Sequence, residues 1–337
     1  MKKITAFILS SAVALALCAP ALSGCGGEAV KYTLSEEGGK HYIVSCSSFS
    51  NLSGEYEIPA YYGEGENYAP VTEIAKEGFA GTRFTKITVP ETVTKIGVAC
   101  FSFCRLLKTV EFADGISLEK FSHGAFGESG SLQQIKIPDS VTVIDGLCFS
   151  GCTSLSSVTL GSSLEVIGAR AFENCVALES VILPQSLTTI GNSAFYDTGI
   201  KSIEIPDSVH DITDGETTVY GFGLGAFEGC VNLESATIGR GIKVIPSGAF
   251  GYCIKLKEIH VPLSVEEVQG AYYENGTLLY GHAFYGDTAL TDIYYAGGEG
   301  QWKDIKIDEK TVSANGITMD NSALAGAIKH FNYKAGE

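Results

Sequence analysis

The stretch from residue 135 to 157, "IKIPDSVTVIDGLCFSGCTSLSS", recurs in varied form in the residues that follow it. Residues 158–180 read "VTLGSSLEVIGARAFENCVALES", and residues 181–202 read "VILPQSLTTIGNSAFYDTGIKS". Each copy has aliphatic residues at matching positions, a Pro or Gly after its first three residues, and a phenylalanine past its middle. Self-similarity at a fixed period of about 20 to 50 residues is the signature of a repeat architecture.

The repeat phenylalanine extends this pattern over most of the chain. It falls at positions 79, 101, 126, 149, 172, 195, 227, 250 and 284, with spacings of 22, 25, 23, 23, 23, 32, 23 and 34. The basic period is therefore 23 residues, and the two long spacings are 9 and 11 residues longer. We predict nine repeat units, with an insertion in each of two of them.

Each unit predicts one coil of a solenoid. Its L-x-x-V-x-L part alternates with a period of two, as a short strand does. Such a strand cannot bury one face alone, so successive coils must stack strand on strand at about 4.7–4.9 Å. A continuous parallel sheet would then run along one side of the molecule. We predict a repeat solenoid that is mainly β, with short parallel strands, turns and little helix.

The unit L-x-x-I-x-I-P-x-S-V-x-x-I-x-x-x-A-F-x-x-C resembles the leucine-rich repeats of the BspA-like, treponemal type, over about residues 31–335. The resemblance implies a leucine-rich-repeat solenoid and adhesion-type roles, such as attachment to host extracellular matrix or to other bacteria. It divides the chain into an N-terminal capping and first repeat region (31–78), tandem repeats (79–292) with insertions near 211–224 and 269–282, and a C-terminal cap (293–337).

The N-terminus is typical of a secreted lipoprotein. "MKK" precedes an apolar stretch at 4–17, which is too short to span a membrane but normal for a signal peptide. The stretch "LSGC" at 22–25 resembles a bacterial lipobox. We expect a signal peptide at 1–24, lipidation of Cys25, a linker at 25–30, and anchoring to the outer face of a bacterial membrane or cell surface. Ordinary cleavage near "CAPALSG" (18–24), with release of the protein, is the alternative.

Composition excludes two classes of protein. The chain of 337 residues is 45% apolar and only 18% charged, which argues against disorder. Its formal net charge of −16 argues against a nucleic-acid partner, because phosphates select surfaces rich in Lys and Arg.

The cysteines raise the question of a metal or redox site, because Cys100 and Cys104, like Cys148 and Cys152, stand four residues apart. This spacing differs from the C-x-x-C of structural zinc and thioredoxin-like sites. The repeat explains the second member of each pair, since several units have Cys three residues after the phenylalanine: Cys104, Cys152, Cys175, Cys230 and Cys253. We expect small, buried packing positions without metal or cofactor. A disulfide, Cys152–Cys175 or Cys230–Cys253, and a metal site remain the alternatives.

Catalytic signatures are absent from the sequence. The six histidines occupy unrelated repeat positions, and no H-E-x-x-H, G-x-S-x-G or P-loop motif occurs. We therefore predict that the protein is not an enzyme; an active site within the insertions is the alternative.

The two insertions are the informative departures from the repeat. Both lie between the repeat Ile or Val and the repeat Ala-Phe, and we expect each to form a small hairpin projecting from the same point of its coil. Tyrosines on loops of a rigid scaffold are typical of recognition sites. The candidate ligand-binding residues are Tyr220, Phe222, Tyr272, Tyr273 and Tyr280. Alternatively, the loops pack on the array and stiffen it.

The sequence thus predicts a lipid-anchored cell-surface protein that binds a protein or glycan ligand, such as host extracellular matrix or another cell surface, without catalysis. The rival prediction is a structural or envelope-organising lipoprotein with no specific external ligand. An extended repeat surface alone does not distinguish them, because a fold does not determine a function.

Overall fold

The structure is a computed structural model that describes residues 30–46, 52–210, 212–213, 218–219, 221–314 and 317–334. Its core contains a column of the nine repeat phenylalanines, each fully buried. Neighbouring ring centroids lie 5.2 to 5.8 Å apart, and neighbouring ring planes differ by at most 23°. The column passes both insertions without interruption, which confirms the nine-unit register.

The first strand of each coil pairs in parallel with the same strand of its neighbours, as a period-two apolar pattern requires. One sheet contains Ser53–Glu57, Arg83–Val89, Thr109–Phe112, Gln134–Lys136 and Ser157–Thr159. A second sheet contains Ser202–Glu204, Ser235–Thr237, Glu258–Val261, Asp292–Tyr295 and Ile328–Phe331. The predicted mainly-β leucine-rich-repeat solenoid with short parallel strands is confirmed.

The predicted sheet is not continuous, because residues 180–183 form no strand between these two sheets. Ile182, in this gap, is 88% exposed. The interruption coincides with a short connection in the next coil: Ile203 follows Phe195 by eight residues, whereas Val158 follows Phe149 by nine. The spacing alone does not explain the break, because Ile87 also follows Phe79 by eight residues and its strand pairs with both neighbours.

A second parallel ladder runs along another side of the coils. Its strands are Lys120–Phe121, Val143–Ile144, Val166–Ile167 and Thr189–Ile190, followed after the first insertion by Val244–Ile245, Glu267–Val268 and Lys306–Ile307. At the phenylalanine corner, a third set of backbone bonds joins the coils; the N–H of Phe149, for example, donates to the carbonyl of Ala171 at 2.7 Å. The backbone is therefore bonded between coils on three sides.

The two ends of the solenoid have their own elements. The N-terminal sheet contains Val30–Ser35, His41–Cys46, Tyr61–Tyr62, Ala69–Ile74 and Lys95–Ile96, with a 3-10 helix at Gly65–Asn67. The C-terminal region adds helices Glu299–Asp304 and Ser322–Gly326 and the hairpin Val312–Ala314 with Ile317–Met319. In the described part of the chain, no helix has the length and apolarity to cross a membrane. The expected boundaries of the capping regions stay predictions.

Candidate functional site

The second insertion forms the predicted hairpin, with Tyr272–Glu274 pairing antiparallel to Thr277–Tyr280. Its tight turn uses Asn275 and Gly276, both at positive φ, as a two-residue hairpin turn requires. Tyr272 and Tyr273 are 39% and 44% exposed. These two side chains are therefore accessible to a ligand.

The first insertion is also a hairpin, with Ile212–Thr213 antiparallel to Thr218–Val219. Tyr220 lies outside the described residues. Phe222 corrects our expectation, because it is fully buried, with its ring centroid 6.0 Å from that of Phe227 and 5.7 Å from that of Phe250. It stands five residues before the repeat phenylalanine, the position of Ile190 in the preceding coil, and forms a parallel bridge with Ile190. Phe222 is therefore a core residue.

We expected the two insertions to project from the same point of the coil, but they do not. The first ends before Phe222, which occupies the second-ladder position. The second begins after Val268, which pairs with Ile245 in that ladder. The chain therefore leaves the solenoid on opposite sides of the second ladder in the two coils.

Tyr280 contacts the three preceding coils. Its hydroxyl is 3.1 Å from the hydroxyl of Ser193, and its ring covers Gly225 and Gly248. A Cβ atom on Gly225 would stand only 2.5 Å from Tyr280 Cε1, so the ring can lie there only because the residue is glycine. Tyr280 is half-buried by this contact. The side chain thus fastens the hairpin to the array, which is the stiffening role left open above.

Tyr285 covers a glycine of a preceding coil in a similar way. It stands one residue after the repeat phenylalanine of its coil, and its ring covers Gly251, the same position one coil earlier. Its hydroxyl donates to Glu228 Oε1 at 2.5 Å. Tyr196, which is 36% exposed, occupies this column one coil before Glu228, and the backbone N–H of Asp197 bonds the carbonyl of Glu228. Tyr280 and Tyr285 thus lie on either side of the Glu228 carboxylate.

Burial shifts the pKa values of Glu228 and of the tyrosines near it. It raises the pKa of Glu228, an effect partly offset by the hydrogen bond from Tyr285. Burial, together with the negative charge of Glu228, also raises the pKa values of Tyr196 and Tyr285. Both tyrosines therefore remain neutral hydrogen-bonding groups at physiological pH.

Sequence reasoning missed Tyr196, Tyr252, Tyr285 and Glu228. A signal for them exists: they stand one or two residues after the repeat phenylalanine, where other coils carry small residues such as Ser102, Gly127, Ser150 and Gly151. Alignment on the phenylalanine therefore shows tyrosines at these positions only within the last four coils, although earlier coils also carry bulky residues there, such as Phe103 and Glu128.

The cysteines three residues after the phenylalanine are buried and free, and so are Cys100 and Cys148. The expectation of a small, buried packing position was incomplete, because the thiol of Cys152 also donates a hydrogen bond to the carbonyl of Phe126 at 3.2 Å. The same bond to the phenylalanine one coil earlier is made by Cys104, Cys175, Cys230 and Cys253. Ser129 makes it with an Oγ–O distance of 2.7 Å. Burial raises the pKa of Cys152 to about 12, so its thiol is an unreactive donor.

Asp287 occupies this position in the last repeat. Its Oδ1 accepts the backbone N–H of Cys253 at 2.7 Å, whereas its buried Oδ2 has no partner among the described residues. Burial raises the pKa of Asp287 well above its usual range. His282, also buried, has neither ring nitrogen bonded within the same part of the chain. Buried polar groups are thus least satisfied in the coil around Phe284.

Other candidate chemistry is limited. Within the described ranges, no three or more His, Cys, Asp or Glu side chains are grouped so that they could hold a metal ion. A groove of about 550 Å³ lies on the first parallel sheet, beside the loop at 113–116. Its lining combines apolar residues such as Phe112 and Ile116 with polar ones, including Thr109, Glu111, Gln134, Lys136, Asp139 and Ser157. This groove is the sheet-face alternative to the insertion loops. Cys25, the expected lipidation site, lies outside the described residues.

Comparison with known proteins identifies the family. The family described as BspA type leucine rich repeat region matches in six copies, over residues 72–178, 119–217 and 178–287. Among curated proteins no match is found.

Solved structures also resemble the chain. A leucine rich cell surface protein from Faecalibacterium prausnitzii A2-165 is 23% identical, with 85% of this chain and 98% of that chain covered and a TM-score of 0.49. The T. pallidum leucine rich repeat protein is 25% identical, with 69% and 90% covered and a TM-score of 0.43. Because the family match spans more than half of the residues, this chain belongs to the BspA-type leucine-rich-repeat family.

Proposed function

We propose that the protein is a lipid-anchored cell-surface protein that binds a protein or glycan ligand through its leucine-rich-repeat solenoid, without catalysis. The observation that carries this proposal is the exposure of Tyr272 and Tyr273 on a hairpin held against a rigid array. Aromatic side chains on loops of a rigid scaffold are typical of recognition sites. Solenoid repeats also provide extended surfaces that commonly bind other proteins.

The binding site is tested by replacing Tyr272 and Tyr273 together with alanine and screening the full chain against a panel of matrix proteins and glycans. The matched control replaces Tyr61 and Tyr68, which are 46% and 51% exposed near the other end of the chain. We expect binding to be lost only in the hairpin variant. Unchanged binding would move the site to the groove on the first sheet.

A structural or envelope-organising lipoprotein is the second candidate function. The packing of Tyr280 on Gly225 and Gly248 supports it, because this contact stiffens the array without any external ligand. A chain that binds no member of the panel would favour this role over the first.

The proposed anchor rests on Cys25 and the lipobox-like stretch before it. We expect metabolic labelling with a fatty-acid analogue to mark the natural protein and a Cys18→Ala control, but not a Cys25→Ala variant. A Cys25→Ala protein that remained labelled and membrane-bound to the same extent would contradict the proposed anchor.

A further inference from the structure

We infer that the corner formed by Tyr196, Tyr252, Tyr280, Tyr285 and Glu228, called the tyrosine patch below, binds a lysine or arginine side chain of a basic partner protein. The inference rests on the proposed binding function and deepens it, because it names the chemistry of the partner. Three features of the patch carry it: a carboxylate without an ion pair in the described chain, surrounding aromatic rings and flanking negative charge.

The half-buried carboxylate of Glu228 has no ion-pair partner within the described chain. Its Oε1 accepts the Tyr285 hydroxyl, and no lysine or arginine of the described chain lies within salt-bridge distance of it. Its Oε2 lies over Gly225, 2.9 Å from where a Cβ atom of that residue would stand. The carboxylate is therefore held in place by one tyrosine while its second oxygen has no protein cation beside it.

Aromatic rings surround this carboxylate. Tyr280 and Tyr285 lie on glycine positions on either side of it, and Tyr196 stands one coil before it. Tyr252, 48% exposed, has its ring centroid 6.4 Å from that of Tyr285. A lysine or arginine within about 6 Å of an aromatic ring face is attracted by the ring quadrupole. Rings arranged around a carboxylate favour a cation over a neutral group.

Further negative charge flanks the patch. Glu173 occupies the same column one coil before Tyr196, so Tyr196 stands between two carboxylates, and Asp197 follows it directly. The whole chain has a net charge of −16. Such a surface attracts a basic partner and accelerates its association. A neutral glycan gains nothing from this charge, which is why we favour a basic protein.

The test is calorimetric titration of the full chain with a peptide of alternating lysine and glycine, and with the same peptide acetylated at each lysine. Acetylation removes the charge and the cation–π donor without changing the peptide length. We expect binding of the lysine peptide only. Tyr196→Ala and Tyr252→Ala should each weaken it about twofold to fivefold, the scale of an exposed cation–π contact. Glu228→Gln should weaken it about tenfold or more, as for a hydrogen bond to a charged group.

Matched controls separate the patch from general electrostatic attraction. Glu204→Gln removes one exposed carboxylate on the second sheet, and Phe103→Ala removes an aromatic ring at the repeat position of Tyr252 in a distant coil. Both should leave the affinity unchanged.

Equal weakening by Glu204→Gln and Glu228→Gln, binding of the acetylated peptide, or selective binding of a neutral glycan at the patch would each overturn the inference. If a panel ligand binds at the hairpin while the lysine peptide does not, the inference fails and the proposed function stands; if nothing binds, both fail.

Discussion

The coils from Phe101 to Phe172 and the coils from Phe195 to Phe284 have the same core and different surfaces. In both regions the phenylalanine rings stack at similar distances, 5.2 Å between Phe126 and Phe149 and 5.2 Å between Phe195 and Phe227. Both regions carry bulky residues directly after the phenylalanine, such as Phe103 and Glu173 in the first region. Only the second region has tyrosines at these positions, and there Tyr280 of the second hairpin also packs at this corner. The repeat pattern therefore determines the core, and the departures from that pattern form a distinct surface outside the core.

The largest expected effect tests whether the two cores are equivalent. Phe149→Ala and Phe195→Ala should each lower the free energy of unfolding by about 3–5 kcal/mol, because each removes a fully buried ring from the column. Phe103→Ala, at a ring that is 54% exposed, should change it by less than about 0.5 kcal/mol. Urea unfolding measures all three. A much smaller loss for Phe195→Ala would show that the coils of the second region lack the common core.

This column is also where sequence reasoning succeeded, because period and burial follow from the apolar pattern alone. It failed at Phe222, where an aromatic residue beside an insertion was assigned to the loop although its distance from Phe227 matches the core position. It also could not find the contact of Tyr285 with Glu228, which depends on Gly251 leaving space between two coils. Contacts of this kind join residues 57 positions apart and leave no periodic signal.

A second comparison concerns one repeat position, occupied by Cys152 in the first region and by Asp287 in the second. Asp287→Asn should raise the free energy of unfolding at pH 7 by about 1–3 kcal/mol, since it removes a buried, partly unsatisfied carboxyl group. It keeps an acceptor for the N–H of Cys253 and adds N–H donors.

The raised pKa of Asp287 also predicts how the free energy of unfolding changes with pH. The raised pKa of Asp287 means that the folded state retains a proton that the unfolded state releases near pH 3.9. The stabilising contribution is therefore complete below about pH 3.9 and is lost as the pH rises through the folded-state pKa. Urea unfolding across this range should show a steeper decline for the natural protein than for Asp287→Asn. Identical pH profiles for the two proteins would contradict the raised pKa of Asp287 in the folded state.

A smaller effect on stability should distinguish Cys148 from Cys152, which lie in the same coil. Because the Cys152 thiol donates to the Phe126 carbonyl, Cys152→Ser should be more stable than Cys152→Ala by about 0.5–1.5 kcal/mol. Cys148 occupies the position of Ala125 and Ala171, so the order should reverse there, with Cys148→Ala more stable than Cys148→Ser. Thermal unfolding of the four variants measures this. The same order at both positions would show that the thiol bond contributes nothing specific.

The smallest effect concerns how the second hairpin is attached to the array. Tyr280→Phe removes only the hydroxyl that meets Ser193, and should cost about 0.5–1 kcal/mol, the net value of one hydrogen bond. Tyr280→Ala should also remove the ring contact with Gly225 and Gly248, and should accelerate amide exchange in Tyr272–Glu274. If exchange there were unchanged in Tyr280→Ala, the hairpin would not be fastened by this side chain.

The central claim is that recognition resides in the coils from Phe195 to Phe284 and not in those from Phe101 to Phe172. Hydrogen-exchange footprinting of the full chain, with and without the lysine peptide, tests it most directly. We expect slower exchange on binding in the segments around Tyr196, Glu228 and Tyr252, and no change in strands Thr109–Phe112 and Gln134–Lys136. Protection confined to those two strands, with none at the tyrosine patch, would contradict it.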